Sequence, residues 1–142
     1  ELGPLLERAV AFARFDPLAK ERQISLTVTQ PATARIDRHR IFHVLINLLR
    51  NALQATESGD SIDVRCTRDA KQALVEVEDT GAGMPDDVRQ RLFTPFFSTK
   101  GEGGLGLGLH MCRLTMERHD GAIDCRSRVG AGTCFTIRLP LA

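Results

Sequence analysis

The sequence predicts a two-layer α/β sandwich, a mixed and largely antiparallel sheet of about five strands covered on one face by about three helices. Three observations predict it. First, several short segments alternate apolar and polar residues with a period of two, the mark of half-buried strands. Second, Ile62, Val64 and Cys66 fall on one face, as do Ile123 and Cys125, and Phe135, Ile137 and Leu139. The opposite positions, Asp63, Arg65, Asp124, Arg126, Thr136 and Arg138, are polar, so helices should cover one side only. Third, one long segment repeats its apolar residues every three or four positions, which specifies an amphipathic helix to supply that cover.

The elements follow in order. Leu2, Leu5, Leu6, Ala9, Val10 and Ala13 have helical spacing, and Asp16-Pro17 interrupts it. Ile24, Leu26 and Val28 alternate with Ser25, Thr27 and Thr29 as a strand that Pro31 ends. A short piece at Ala34 to Ile36 is expected to pair nearby. The strongest helix runs from about Arg38 to Glu57, with Ile41, Val44, Leu45, Leu48, Leu49 and Ala52 on its stripe. Asp37 is its expected N-cap and Gly59 its stop. Strands follow at Ile62–Thr67 and Ala73–Asp79. Pro85-Asp86-Asp87 opens a short helix to about Leu92, with proline and acids where a first turn favours them. A helix from about Leu105 to His119 ends at Asp120-Gly121. Strands at Ala122–Arg128 and Thr133–Leu139 are joined by a hairpin turn at Val129-Gly130-Ala131-Gly132.

The length of 142 residues suits one domain with a real core. A formal charge of +1, no Trp or Tyr, and seven Phe that do not interleave with a basic run argue against nucleic-acid binding. No apolar run approaches membrane-spanning length, so no direct membrane contact is expected. No secretory leader is visible. The four cysteines show no close pairing, which argues against zinc and leaves them as reduced small hydrophobes of a cytoplasmic protein. The abrupt start at Glu1 fits a part of a longer protein.

Chemistry concentrates in three places. Asp79 shares the parity of Val75 and Val77, so its carboxylate should face the buried side, where an unpaired charge is costly. Gly81 and Gly83 follow and permit a sharp turn and close approach to a ligand. An acid behind a glycine turn suggests recognition of a small polar molecule, although an ordinary strand-ending turn accounts for the stretch as well. Asn47 and Asn51 lie one helical turn apart at the edge of the apolar stripe. There they can reach a helix–sheet cleft or stay solvated, and an amide oxygen suits Mg²⁺. The third place is Gly101-Glu102-Gly103-Gly104-Leu105-Gly106-Leu107-Gly108, which opens a helix whose N–H groups and positive end favour anions. No convincing strand precedes it, which disfavours a dinucleotide fold, and no Walker-type phosphate loop occurs.

The order of these signals is more specific than any one of them. An N-x-x-x-N-A helix precedes D-x-G-x-G, then Phe-Thr-Pro-Phe-Phe, G-x-G-x-G-L, and G-x-G-T at Gly130–Thr133. The series resembles the ATP-binding domain of sensor histidine kinases, within the gyrase, Hsp90, histidine kinase and MutL ATPase superfamily. It covers about Leu2 to Leu139. Asn-Ala-Leu-Gln-Ala at 51–55 and Pro-Phe-Phe-Ser-Thr-Lys at 95–100 look most like the nitrogen-regulation class.

The resemblance implies a Bergerat ATP-binding fold that takes ATP and Mg²⁺. Asn51 would coordinate the metal, with Asn47 in support. Asp79 would accept a hydrogen bond from the adenine amino group, and Thr133 would support the adenine pocket. Gly81 and Gly83 would let the chain pass the nucleotide. Gly104, Leu105, Gly106, Leu107 and Gly108 would bring backbone N–H groups to the phosphates. Residues from about Met84 to Leu105 would form a lid anchored by Phe93 and Phe96, and Lys100 would reach a phosphate. Related chains often carry Lys or Arg where this one has Gln54, which weakens the case for a basic phosphate contact there.

Where the superfamily's hydrolases place a water-activating Glu, this chain has Asn47, so transfer is expected and efficient hydrolysis is not. The acceptor His would lie on a separate dimerisation domain, since none of His39, His43, His110 or His119 has the expected surroundings. The whole chain would then be the catalytic part of a larger kinase that passes phosphate to a response regulator receiver domain. The alternatives are an anti-sigma-type serine kinase and a non-catalytic nucleotide-responsive module.

Overall fold

The computed structural model describes residues 1–95, 97 and 108–142. Its order is α1 (Leu2–Ala13), a 3-10 turn (Pro17–Glu21), β1 (Gln23–Val28), α2 (Arg38–Ala55), β2 (Ser61–Arg68), β3 (Gln72–Asp79), α3 (Asp86–Arg91), α4 (Gly108–Arg118), β4 (Ala122–Ser127) and β5 (Thr133–Pro140). The five strands form one sheet in the order β1-β2-β3-β5-β4. β1 runs parallel to β2, and the other pairings are antiparallel. The sandwich and its mixed sheet are thus as expected, with four α-helices among the described residues in place of about three.

The core forms where the period-two faces meet the helical stripes. Ile62, Val64, Cys66, Val75, Val77, Phe135, Ile137 and Leu139 are buried against Leu6, Val44, Leu48, Leu49 and Met116. The other face carries a charge ladder: Arg65 reaches Glu76 and Glu78 at 3.6 and 3.0 Å, and Arg126 meets Glu76 at 3.4 Å. Arg138 pairs with Asp124. These cross-strand pairs replace a second layer on a face open to water. Thr136, read as an outward polar position, is nonetheless buried in β5, an interior strand between β3 and β4.

Capping sets the helix ends. The Asp37 carboxylate accepts the Arg40 N–H at 3.2 Å and starts α2, a cap worth about 1 kcal/mol. α2 stops at Ala55, two residues before the expected end. Thr56 is extended, and its hydroxyl folds back onto the Ala52 carbonyl at 2.9 Å. The Arg22 guanidinium closes that end, donating to the Thr56 hydroxyl at 2.8 Å and to the Thr56 carbonyl. Gly59 takes a left-handed φ of 90° just beyond.

Ala34 to Ile36 does not form a strand. The residues just before it bond the chain's two ends: Ala32 accepts from Leu2 at 3.0 Å and Thr33 from Ala142 at 2.9 Å. Ala34 and Ile36 still pack on the core, so alternation reported burial without a ladder. The expected helix 105–119 is described from Gly108, its first three residues lying outside the described ones. Asp120 adopts φ 56° after it, and the Gly121 N–H returns to the Met116 carbonyl at 2.8 Å. This is a left-handed helix end of the usual kind.

Candidate functional site

β3 delivers Asp79 to the helix-covered face, as its parity requires, and buries it to 3 % exposure. Its Oδ1 accepts the Gly81 N–H at 2.9 Å, and the Thr133 N–H lies near enough to favour the charged carboxylate. Burial pushes this carboxyl above the usual carboxylate range, outweighing the lowering by the two N–H groups. The negative charges of Asp60 and Glu78 add to the rise. A carboxylate offers roughly four acceptor positions, so the Gly81 bond leaves capacity for a further donor.

The glycine turn is locked between two carbonyls. A Cβ on Gly81 would sit 2.1 Å from the Ala55 carbonyl oxygen at the end of α2. A Cβ on Gly83, already at φ 70°, would sit 1.8 Å from that of Arg128. The Ala82 N–H donates to the Ala55 carbonyl at 3.1 Å, and the Ala82 carbonyl accepts from Gly130 at 2.7 Å. The β4–β5 hairpin closes the other side: Gly132, at φ 80°, passes so close to Asp79 that a Cβ would meet the Asp79 carbonyl oxygen at 2.0 Å. These glycines are required for close approach as well as for turning.

Asn47, Asn51 and Ala55 stand one turn apart on α2, so a single stripe runs from the start of α4 to the glycine turn. Both asparagines are half-buried. Asn47 donates its amide to the His43 carbonyl at 3.0 Å, while its Oδ1 lies 3.0 Å from where a Gly108 Cβ would be. The structure therefore brings Asn47, Gly108 and α4 together at one end of the stripe, and Asp79, Gly81, Gly83 and Thr133 at the other. Phe93 packs edge-on against Phe135 with centroids 6.4 Å apart, and its carbonyl lies 3.3 Å from His110 Nδ1. Phe96, Lys100, Gly104, Leu105, Gly106 and Leu107 lie outside the described residues.

Ser127 was not singled out from the sequence. It joins the site because β4 and β5 pair it with Thr133. A Ser ending a strand beside a glycine hairpin is the only sequence signal for it.

Cavities do not by themselves mark this place. A groove of about 220 Å³ lies between Phe12, Phe15, Ile46, Arg50 and Leu53. Another of about 290 Å³ touches the site only through Ser127, Gly132 and Thr133. The buried carboxylate is the better guide, because it is an acceptor held in apolar surroundings. All four cysteines are free thiols, and burial pushes Cys112 and Cys125 up to about 12, so they are unreactive at neutral pH. Among the described residues no cluster could hold a metal ion through His, Cys, Asp or Glu. None of their helices is long and apolar enough to cross a membrane.

Residues 36–142 match the family described as histidine kinase-, DNA gyrase B- and HSP90-like ATPase, and the chain belongs to that family. It is 37% identical to the C4-dicarboxylate transport sensor protein DctS of Rhodobacter capsulatus, over 99% of this chain and 22% of that protein. It is 38% identical to the sensor protein SrrB of Staphylococcus aureus, over 73% and 19%. The chain thus spans about a fifth of the length of these relatives. Its fold matches the catalytic domain of histidine kinase ThkA with a TM-score of 0.87 at 29% identity, covering 98% of this chain and 91% of that one. It also matches the mycobacterial sensor histidine kinase MprB at 0.88 and 25%, covering 99% and 95%. The nitrogen-regulation likeness rests on its two sequence motifs alone.

Proposed function

We propose that this chain binds Mg·ATP and presents the γ-phosphoryl group to a histidine on a separate dimerisation domain of the same protein, for onward transfer to a response regulator receiver domain. Asp79 carries the reading. Its buried, acceptor-only carboxylate suits the N6 amino group of adenine and repels the O6 of guanine. The fit extends along α2. Asn51 would offer an amide oxygen to Mg²⁺, which prefers oxygen and keeps several waters. Asn47 is oriented by its bond to His43 and supports the same edge. Gly108, at the start of α4, continues the anion-favouring segment in which Gly104, Leu105, Gly106 and Leu107 would offer N–H groups to phosphates. Phe93, seated on Phe135, would anchor the lid with Phe96, and Lys100 would approach a phosphate.

The nucleotide supplies the group transferred, and the chain's part is positioning and charge neutralisation, which is most of what phosphoryl transfer needs. Asn47 cannot take a proton from water, so rapid hydrolysis is not expected. The whole chain is then the catalytic part of a longer, cytoplasmically facing sensor kinase. The intact set of Asn51, Asp79 and glycines favours this over a non-catalytic module, and the sensor-kinase relatives favour it over a serine kinase of the anti-sigma type.

The test uses the chain alone and then with the parent's histidine-bearing helical domain. Alone it should bind ATP without accumulating acid-labile phosphate, and transfer should appear on adding that domain. Acid-labile label on His119 or another histidine of this chain alone would overturn the assignment.

A further inference from the structure

At the end of the sheet, three adjacent strands place three oxygen-bearing side chains in one row. Asp79 on β3 is paired with Thr133 on β5, and Thr133 with Ser127 on β4. Facing residues of paired strands point to the same side, so all three lie on the helix-covered face. Thr133 is buried like Asp79. We infer that Ser127 is a positioning residue for base selection: it holds the Thr133 hydroxyl proton, so that Thr133 presents an acceptor beside the Asp79 acceptor. The inference rests on the adenine-binding reading above.

Hydrogen counting carries it. A serine hydroxyl has one proton and two lone pairs. Ser127 Oγ accepts the Met84 N–H at 2.8 Å and donates to the Gly132 carbonyl at 3.0 Å. Its one proton is thereby used. The 2.9 Å contact between Ser127 Oγ and Thr133 Oγ1 then has one polarity left, with Thr133 donating and Ser127 accepting. The rotor is fixed, and the Thr133 lone pairs are what remain for a ligand. The two N–H donors of an exocyclic amino group suit two neighbouring acceptors, whereas a keto oxygen at that position offers them no donor. Without Ser127 the Thr133 hydroxyl could turn and offer its proton to that keto oxygen.

Competition binding of ATP against ITP, which differ at this edge, tests the inference on the full chain, with thermal melts in parallel. The wild type should prefer ATP. Ser127→Ala should narrow the preference about three- to tenfold, the worth of one hydrogen bond. Ser127→Cys, which keeps the volume but accepts poorly, should narrow it too if the alanine variant fails to fold. Ser127→Thr should restore it, and Ser127→Ala should add nothing to a Thr133→Val background. Equal losses of ATP and ITP affinity in Ser127→Ala would overturn the inference and leave Ser127 a structural residue, with the adenine reading intact. A wild type that binds neither nucleotide would overturn both.

Discussion

The two ends of the α2 stripe are built differently. The Asp79 end is fixed by main chain: β3, β5 and the hairpin enclose a buried carboxylate, and the glycines touch carbonyl oxygens within 1.8 to 2.1 Å of any added Cβ. The Asn47 end is fixed by side chains, and the one glycine described there, Gly108, would meet only the movable Asn47 amide at 3.0 Å. Main-chain enclosure suits a rigid, planar base, whose edge must be read without slack. Side-chain contact between two helices suits phosphates and a metal ion that come and go.

That contrast breaks most sharply at Gly83. Gly83→Ala combines a left-handed φ of 70° with a collision against the Arg128 carbonyl. It should cost about 2–6 kcal/mol of stability, from backbone strain plus overpacking, in a denaturant titration. A melt unchanged from wild type would show that the turn is looser than described. Next in size is Asp79→Asn, which should weaken ATP binding by roughly 1.5–3 kcal/mol, the range for a hydrogen bond to a charged group.

The same residue sets a pH dependence. Because burial raises the folded-state pKa of Asp79, the native state holds its proton to higher pH than the unfolded chain does. Stability from this group is therefore present at low pH and falls as pH rises from the ordinary Asp range through the raised folded value. Asp79→Asn removes that fall. Relative to wild type it should look better at pH 7 than at pH 4 in paired urea titrations, and the opposite trend would contradict the burial argument.

At the other end, Asn51→Ala should reduce the Mg²⁺ dependence of ATP binding in a folded chain, measured by calorimetry with and without the metal. An unchanged metal effect would remove Asn51 from the ligand set. The smallest effect is expected from Gly108→Ala, within about 1 kcal/mol of stability because alanine favours the helix while crowding a side chain that can move. A loss as large as that at Gly83 would mean the two ends are equally rigid.

Much of this was legible in the sequence because it depends on local period. The α2 stripe, the strand faces and the burial of Asp79 follow from spacing alone, and the motif order pointed to the nucleotide site. What depended on strand order was not legible. β5 sits between β3 and β4, and this places Ser127 and Thr133 in one row with Asp79. Pairing across 82 residues was equally hidden: His119 Nε2 accepts the Asp37 N–H at 3.0 Å and ties the end of α4 to the start of α2. His119 therefore ties α4 to α2, the helix that carries the stripe. Ala34 to Ile36 failed in the other direction, since its alternation records packing on the core and no strand forms.

The most direct test of the account is competition of ATP and GTP for the wild-type chain and for Asp79→Asn. The account predicts a clear wild-type preference for ATP that narrows in the variant. No preference in the wild type, or an equal preference in the variant, would contradict it and leave Asp79 a turn residue.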